Sequence, residues 1–377
     1  MRTKKFSICW YVSFLALKDI GVNEEDGGVV EGVNYWAYGF GYFTYFAETL
    51  RERTGEDLLA DAREAAAFPA AVQLGPDRYP AFADSGRIQV LPTGLLSRLE
   101  KRLGIAVPRV ERVPDFDFDH CYRWAHLTRT LTWTDRGLLN RAEPAAQGAW
   151  LERAQWLVDS RTVAGMPVAF AAKGGHNDES HNHNDIGHFI LEAHGEELLA
   201  DLGAGEYTGA YFGPRRYEAL HSSAEGHSVP VLDGRTQQPG RDHAARVLFA
   251  QRSNDGARLE LDLSAAYGSE AVLRREFHWR PDATLVLTDK FAGTARAEEI
   301  FISRLRPDTT EGQVIWAGAR TRAVMRFDSA RWHACTERLQ TQNHHAEPDT
   351  VYRVRLASTA QLGNETFIFT IEPTDPR

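Results

Sequence analysis

The 377-residue chain carries 43% hydrophobic and 25% charged residues, which describes a folded globular protein and excludes disorder. Its length exceeds one typical domain and predicts two. A net charge of −9 argues against general nucleic-acid binding, and three widely spaced cysteines, Cys9, Cys121 and Cys335, fit neither a disulfide framework nor a zinc-thiolate motif and are expected as buried free thiols.

The chain opens MRTKK and continues with the apolar FSICWYVSFLAL. Lys18-Asp19 stands where a signal peptide would carry small residues for cleavage, and the run is too short to span a membrane. A helix of the first domain is therefore expected, with no membrane insertion. From Asp26 the sequence DGGVVEGVNYWAYGFGYFTYFAETLRERTGEDLL reads as a Gly-rich turn and then a helix to about Arg53, with Gly55 as its stop. Trp36, Phe40 and Phe43 form its core stripe. A neighbouring stripe holds Tyr35, Tyr38, Tyr42 and Tyr45: the last two read as the margin of the core, whereas Tyr35 and Tyr38 lie near the helix start, where a phenol can reach a cleft.

Further helices are expected over 57–67, 93–103, 118–131 and 145–158, with GPDRYPAFADS at 75–85 as a loop. Residues 1–158 thus read as a helical domain. After Arg161 the pattern changes to short alternating runs: AFAAK, HFILEAH, ELLAD, RVLFAQRS, RLELDLSA, VLRREFHW, TLVLTDKF, EIFISRL, VYRVRLAS and TFIFTIEP. In RLELDLSA, Leu259, Leu261 and Leu263 face one way and Arg258, Glu260 and Asp262 the other, the period of a half-buried strand. Such strands without intervening helices predict an antiparallel β-sandwich over 159–377, and the fold class is α+β multidomain.

Seven of the fourteen histidines, His176, His181, His183, His188, His194, His221 and His227, fall in the stretch KGGHNDESHNHNDIGHFILEAHGEELLAD at 173–201 or shortly after it. In an extended strand His181-x-His183 would point both rings to one face, about 6 to 7 Å apart, so that two imidazoles serve one centre. His188 and His194 pass as strand or turn residues. His183, Asp201 and His227 offer two imidazoles and a carboxylate, a set that suits Zn²⁺ with a water, phenol or further side chain as fourth ligand. The pattern His181, His183, Asp185 is similar to that of binuclear zinc hydrolases of the metallo-β-lactamase type, except that Ile186 stands where those have a further histidine.

The histidine stretch with its continuation DLGAGEYT, then RRYEALHSSAEGHSVPVLDG and QQPG, resembles the C-terminal half of the heparinase II/III-like polysaccharide lyases. DGGVVEGVNYWAYG and GPDRYPAFADS resemble the helical half of the same family. The resemblance implies a partial α/α toroid followed by a β-sandwich, a glycan cleft between them, and cleavage of uronic-acid-containing polysaccharides by β-elimination. It implies His181 as catalytic histidine, Tyr35 as catalytic tyrosine with Tyr38 one turn away, and a bound zinc on His183, Asp201 and His227. Members also carry an Asn-Asn or Asn-His pair about one helical hairpin before the DGG segment; none precedes Asp26, so a helical lobe shortened at its start is expected, either as a fragment of a longer protein or in a lineage that has lost the motif. Export to the periplasm or cell envelope follows from the resemblance alone.

In such an elimination a tyrosine near a cation can lose its proton at a lowered pKa, act as base at C5 and return the proton to the leaving O4. His181 would be the second acid/base group or would stabilise charge on the substrate carboxylate, and zinc would hold the loops that aim it. His176, Tyr207, Arg215, Arg216 and Tyr217 are candidates for binding an acidic sugar, and Arg161 and Lys173 for pairing with carboxylates of substrate or protein. The partner expected is an acidic polysaccharide; a homodimer is compatible with the sequence. A non-catalytic zinc-containing glycan-binding sandwich and a zinc hydrolase stand as alternatives.

Overall fold

The computed structural model describes residues 26–118, 123–142, 146–268 and 271–374; the expected first helix, Cys9 and Cys121 lie outside them. The chain folds mostly as antiparallel sheets with few helices.

Helix α1 spans Val33–Thr54 and ends where Gly55 turns left-handed at φ 80°, its N–H capping Arg51 O. Trp36 and Phe40 are fully buried, and the Trp36 indole donates to Ala65 O at 2.7 Å, tying α1 to α2 (Arg63–Ala71). The latter starts later than the apolar pattern suggests, because residues 58–61 form a turn that buries Leu58 and Leu59. Helix α3 covers Thr93–Leu103, as its periodicity predicts, and α4 covers Trp124–Trp133. Tyr45 belongs to the core, with its hydroxyl 2.7 Å from His126 Nδ1, while Tyr42 stays exposed. A toroid is not evident in these four described helices.

No helix forms over 145–158. A hairpin of Ala146–Leu151 and Trp156–Val163 takes its place, turning at Gln155, which holds φ 52°. Gly148 at φ 130° lets the two strands close, since a Cβ there would lie 2.1 Å from Val158 O. The second strand runs through residues 158 and 159, so the sheet begins ahead of the expected domain boundary.

These strands start a five-stranded sheet continued by Met166–Lys173, Phe189–Ala193 and Glu196–Leu199. One face carries Phe170, Phe189 and Leu191 into the sandwich core, beside Leu259, Leu261, Phe277 and Trp279 of the eight-stranded sheet. The other face carries Val158, Ala169, Ala171 and Ile190 against Phe82 and the α1–α3 core. Burial on both faces explains why these strands read as continuous apolar runs rather than alternations. At the junction Arg78 and Arg87 from the helical side grip the buried Glu192 carboxylate at 3.2 and 2.7 Å.

A four-stranded sheet includes the hairpin of Trp332–Gln342 and Pro348–Ser358, eleven residues paired on each arm. Cys335 lies on its outer arm and is exposed, not buried, because that edge strand turns one face to solvent. The strands Pro307–Thr310, Gln313–Ala317 and Thr321–Arg326 were not anticipated; they are short and their polar residues mask the alternation.

Candidate active site and metal centre

His181 does not lie on an extended strand. It takes a left-handed φ of 56° within the loop that follows the two-residue strand His176–Asn177, so the same-face geometry expected for His181 and His183 does not arise. The two rings converge by another route. Asp84, on the loop before α3, is completely buried and receives His181 Nδ1 on one oxygen at 2.8 Å and His183 Nε2 on the other at 3.0 Å. The Tyr211 hydroxyl donates to Asp84 at 2.6 Å and Arg216 at 2.9 Å. Burial opposes the charge, but hydrogen bonds from His181 and His183 and the nearby cations outweigh it and hold the Asp84 carboxyl well below the usual range.

Because an ionised carboxylate only accepts, the His181 proton sits on Nδ1 and Nε2 carries the lone pair, on a ring whose side chain is 27% exposed. Tyr35, in the first turn of α1, packs against that ring at a tilt of 30° with centroids 4.4 Å apart. Its hydroxyl lies 3.3 Å from Nδ1 and 2.7 Å from the Tyr207 hydroxyl. Gly32 permits this approach of the helix start, since a Cβ there would sit 2.5 Å from that of Ser85. The phenol is not acidified as expected: burial, with help from the Asp84 and Glu31 carboxylates, pushes Tyr35 up to about 12. Tyr38 lines the same cleft but is half exposed, with the Arg123 guanidinium 4.7 Å above its ring.

Below this pair, His183, Asp201 and His227 place one ligand atom each within 4.8 Å of one another, all three side chains buried. His183 gives its Nε2 proton to Asp84, and His227 gives its Nδ1 proton to Ser223 O at 2.8 Å. His183 Nδ1 and His227 Nε2 therefore face each other at 3.2 Å with a lone pair each and no proton to share. Burial keeps His227 neutral, its pKa lowered to about 3. Asp201 Oδ1 lies 4.0 Å from His227 Nε2. Two facing imidazole lone pairs and a buried carboxylate, each imidazole held by an acceptor behind it, are the donor set a zinc ion requires.

His188 is no ordinary strand residue. Its Nδ1 accepts from Ser228 N at 2.8 Å, so its Nε2–H faces Asp201 Oδ2, 3.3 Å away but off-line for a hydrogen bond. It steadies the carboxylate rather than joining the donor set. The hydrolase pattern is not assembled: Asp185 is bound to Lys173 at 2.6 Å and does not join His183 in the donor group.

The cleft beside Tyr35 has a volume of about 710 Å³. Tyr35, Tyr38 and Arg123 line it from the helical side, and Tyr207, His344 and His345 from the sheet side.

The profile of the heparinase II/III-like C-terminal family matches residues 156–369. The chain belongs to this family. Its fold is similar to that of the heparan sulfate lyase HepC from Pedobacter heparinus, with a TM-score of 0.68 at 15% identity over 97% of this chain and 56% of that one. The heparinase III BT4657 gene product gives a TM-score of 0.67 at 14% identity over 97% and 55%, and a further heparinase III gives 0.64 at 15% over 98% and 57%. The chain thus spans about half the length of these solved structures. No protein with a curated description matches it.

The remaining candidates of this heparinase II/III-like chain divide. Tyr207 stands in the cleft, bonded to Tyr35. Arg216 is spent on Asp84, Asn182 O and Tyr211 O, and Tyr217 donates to Asn182 Oδ1 at 2.9 Å, so both brace the histidine loop instead of facing a sugar. Arg215 is exposed, pairs with Glu218 at 2.7 Å and lies outside the cleft. His176 sits in a bridge opposite Ala244, its Nδ1 accepting from Asp178 N at 3.2 Å, also outside the cleft. Arg161 and Lys173 pair with the protein carboxylates Asp159 and Asp185. Sequence reasoning missed Asp84, Tyr211, Glu31 and the pair His344–His345. Asp84 had one signal, a lone carboxylate in the otherwise apolar PAFAD; buried Glu31 had its place beside the tyrosine in EGVNY.

Proposed function

We propose that the protein is a polysaccharide lyase that cleaves a uronic-acid-containing glycan by β-elimination. The reading is carried by the packing of Tyr35, which lines a sugar-sized cleft, against His181, which stands behind the lining residues Tyr35, Tyr207 and Asp84 and is fixed by the Asp84 carboxylate. Elimination needs a base for the C5 proton, a donor for the departing O4 and relief of charge on the uronate carboxylate. His181 Nε2 is the base: the Asp84 carboxylate behind Nδ1 orients the ring and stabilises the imidazolium that forms. Tyr35, pushed up to about 12, keeps its proton at neutral pH and is the donor to O4. This exchanges the roles expected from sequence, because a phenol buried beside carboxylates holds its proton. Arg123 is a cationic group of the cleft wall suited to the carboxylate of an acidic sugar.

His183, Asp201 and His227 would hold a zinc ion, which when bound supplies a fixed cross-link among three loops and keeps His183, and through Asp84 His181, in place. The helical segment before Ala146 is read as part of an α/α toroid lobe, and the chain from Ala146 on as the β-sandwich lobe. The protein is proposed to be exported to the periplasm or cell envelope, where acidic polysaccharides are met; cell fractionation tests this. Incubation with heparosan, heparan sulfate and alginate, followed by the ultraviolet absorbance of the unsaturated product, tests the activity. Absorbance from none of them overturns it.

A further inference from the structure

The hairpin of Trp332–Gln342 and Pro348–Ser358 ends in a tip that the lyase chemistry above does not use, and the tip is built rather than slack. Asn343 Oδ1 accepts from His345 N and Glu347 N at 2.9 and 3.0 Å, Asn343 Nδ2 donates to Glu347 Oε2 at 2.9 Å, and Ala346 turns at φ 60°. The tip is docked on the loop that carries Tyr207. Asn343 forms a bridge with Gly205, and His344 Nδ1 donates to Gly205 O at 3.1 Å. The His344 ring meets Tyr207 edge-on, with centroids 4.4 Å apart.

A carbonyl can only accept, so the bond to Gly205 fixes the His344 proton on Nδ1 and leaves Nε2 as the variable atom of an exposed ring in the cleft wall. His345 lines the same wall, with its ring 5.4 Å from that of His344. Tyr207 separates this pair from Tyr35 and His181, so the tip lies one ring further along the cleft than the reacting groups. The volume exceeds what one sugar ring fills. Glu347 lies outside the wall and is engaged by Asn343, and the acidic side chains of the wall are Asp115 and the fully engaged Asp84, so the wall is not broadly cationic. Such a wall suits a glycan with one carboxylate per repeat better than a densely sulfated one.

We propose that the tip, through His344 and His345, is a second sugar subsite that takes the next uronate along the glycan, one disaccharide repeat from the one held at Tyr35 and His181. The proposal rests on the reading of the protein as a glycan-cleaving enzyme, but its test reads binding. Calorimetry with the full chain compares a heparosan tetrasaccharide, a heparosan disaccharide and uncharged chitotetraose, on the wild type and on His344→Ala/His345→Ala. The double variant is expected to lose about tenfold in affinity for the tetrasaccharide, and less than about twofold for the disaccharide, which reaches only the reacting groups. Equal losses for both ligands, no loss for either, or wild-type binding of the tetrasaccharide no tighter than that of chitotetraose overturns it. The ring-proton resonances of His344 in the wild type give a measure that needs no variant: they shift on adding the tetrasaccharide, and their failure to shift also overturns the subsite. Tight tetrasaccharide binding without unsaturated product would leave the subsite standing and sink the lyase reading instead.

Discussion

Asp84 and His181 lie 97 residues apart in the chain, yet Oδ2 of one stands 2.8 Å from Nδ1 of the other. The second oxygen of the same carboxylate holds His183, so a side chain from the helical lobe sets the proton positions of both the imidazole proposed to react and one proposed to hold a metal.

Asp84→Asn should therefore damage two properties together. An amide cannot accept from both rings as a carboxylate does, so the elimination rate should fall about 100-fold or more and zinc affinity about 10- to 100-fold. Steady-state kinetics and metal titration check this. Loss of one property with the other intact would separate the two rings that the structure joins.

Tyr35→Phe should abolish product formation while leaving the melting temperature within a few degrees, since the ring keeps its packing against His181. The pH profile distinguishes acid from base. With the protonated phenol as the working form and its pKa up to about 12, Tyr35 should cause no loss of kcat/KM between neutral and mildly alkaline pH. A rate that climbs steadily with pH up to that value would mark the phenolate as the base.

His183→Ala should remove bound zinc and lower the melting temperature, because metal binding and folding are coupled, and a chelator should do the same to the wild type. Metal analysis of the purified variant decides. Retention of full zinc would show that the facing lone pairs of His183 and His227 are not the ligands.

His221 is buried with its pKa lowered to about 4, first by burial, with the charge of the neighbouring Arg304 acting in the same direction. The unfolded chain binds a proton there near pH 6.5 and the folded chain does not, so the contribution to stability is complete above pH 6.5. It is lost as pH falls from 6.5 to about 4, by up to roughly 3 kcal/mol. Denaturant melts of wild type and His221→Asn over that window should show a shallower slope in the variant; parallel slopes would refute the assignment.

Much of this was written in the linear chain. The core stripe of α1, the stop at Gly55 and the alternation of Leu259, Leu261 and Leu263 depend on residue type and local period, which a sequence displays directly, whereas the set His183, Asp201, His227 was read from donor type and family resemblance, and the fold brings it together. Where local pattern failed, a longer-range contact had decided. The 145–158 segment carries an apolar spacing that helix and hairpin share, and only pairing with Met166–Lys173 makes it sheet. Arg216 looks like a ligand for an acidic sugar until the fold brings Asp84 to it, and Tyr35 looks acidifiable until burial beside carboxylates raises it. The sequence determined which side chains were available and on which elements they would ride. The tertiary structure alone decided which charges met, because electrostatic partners and desolvation depend on distances between segments a hundred residues apart, and no local period encodes those.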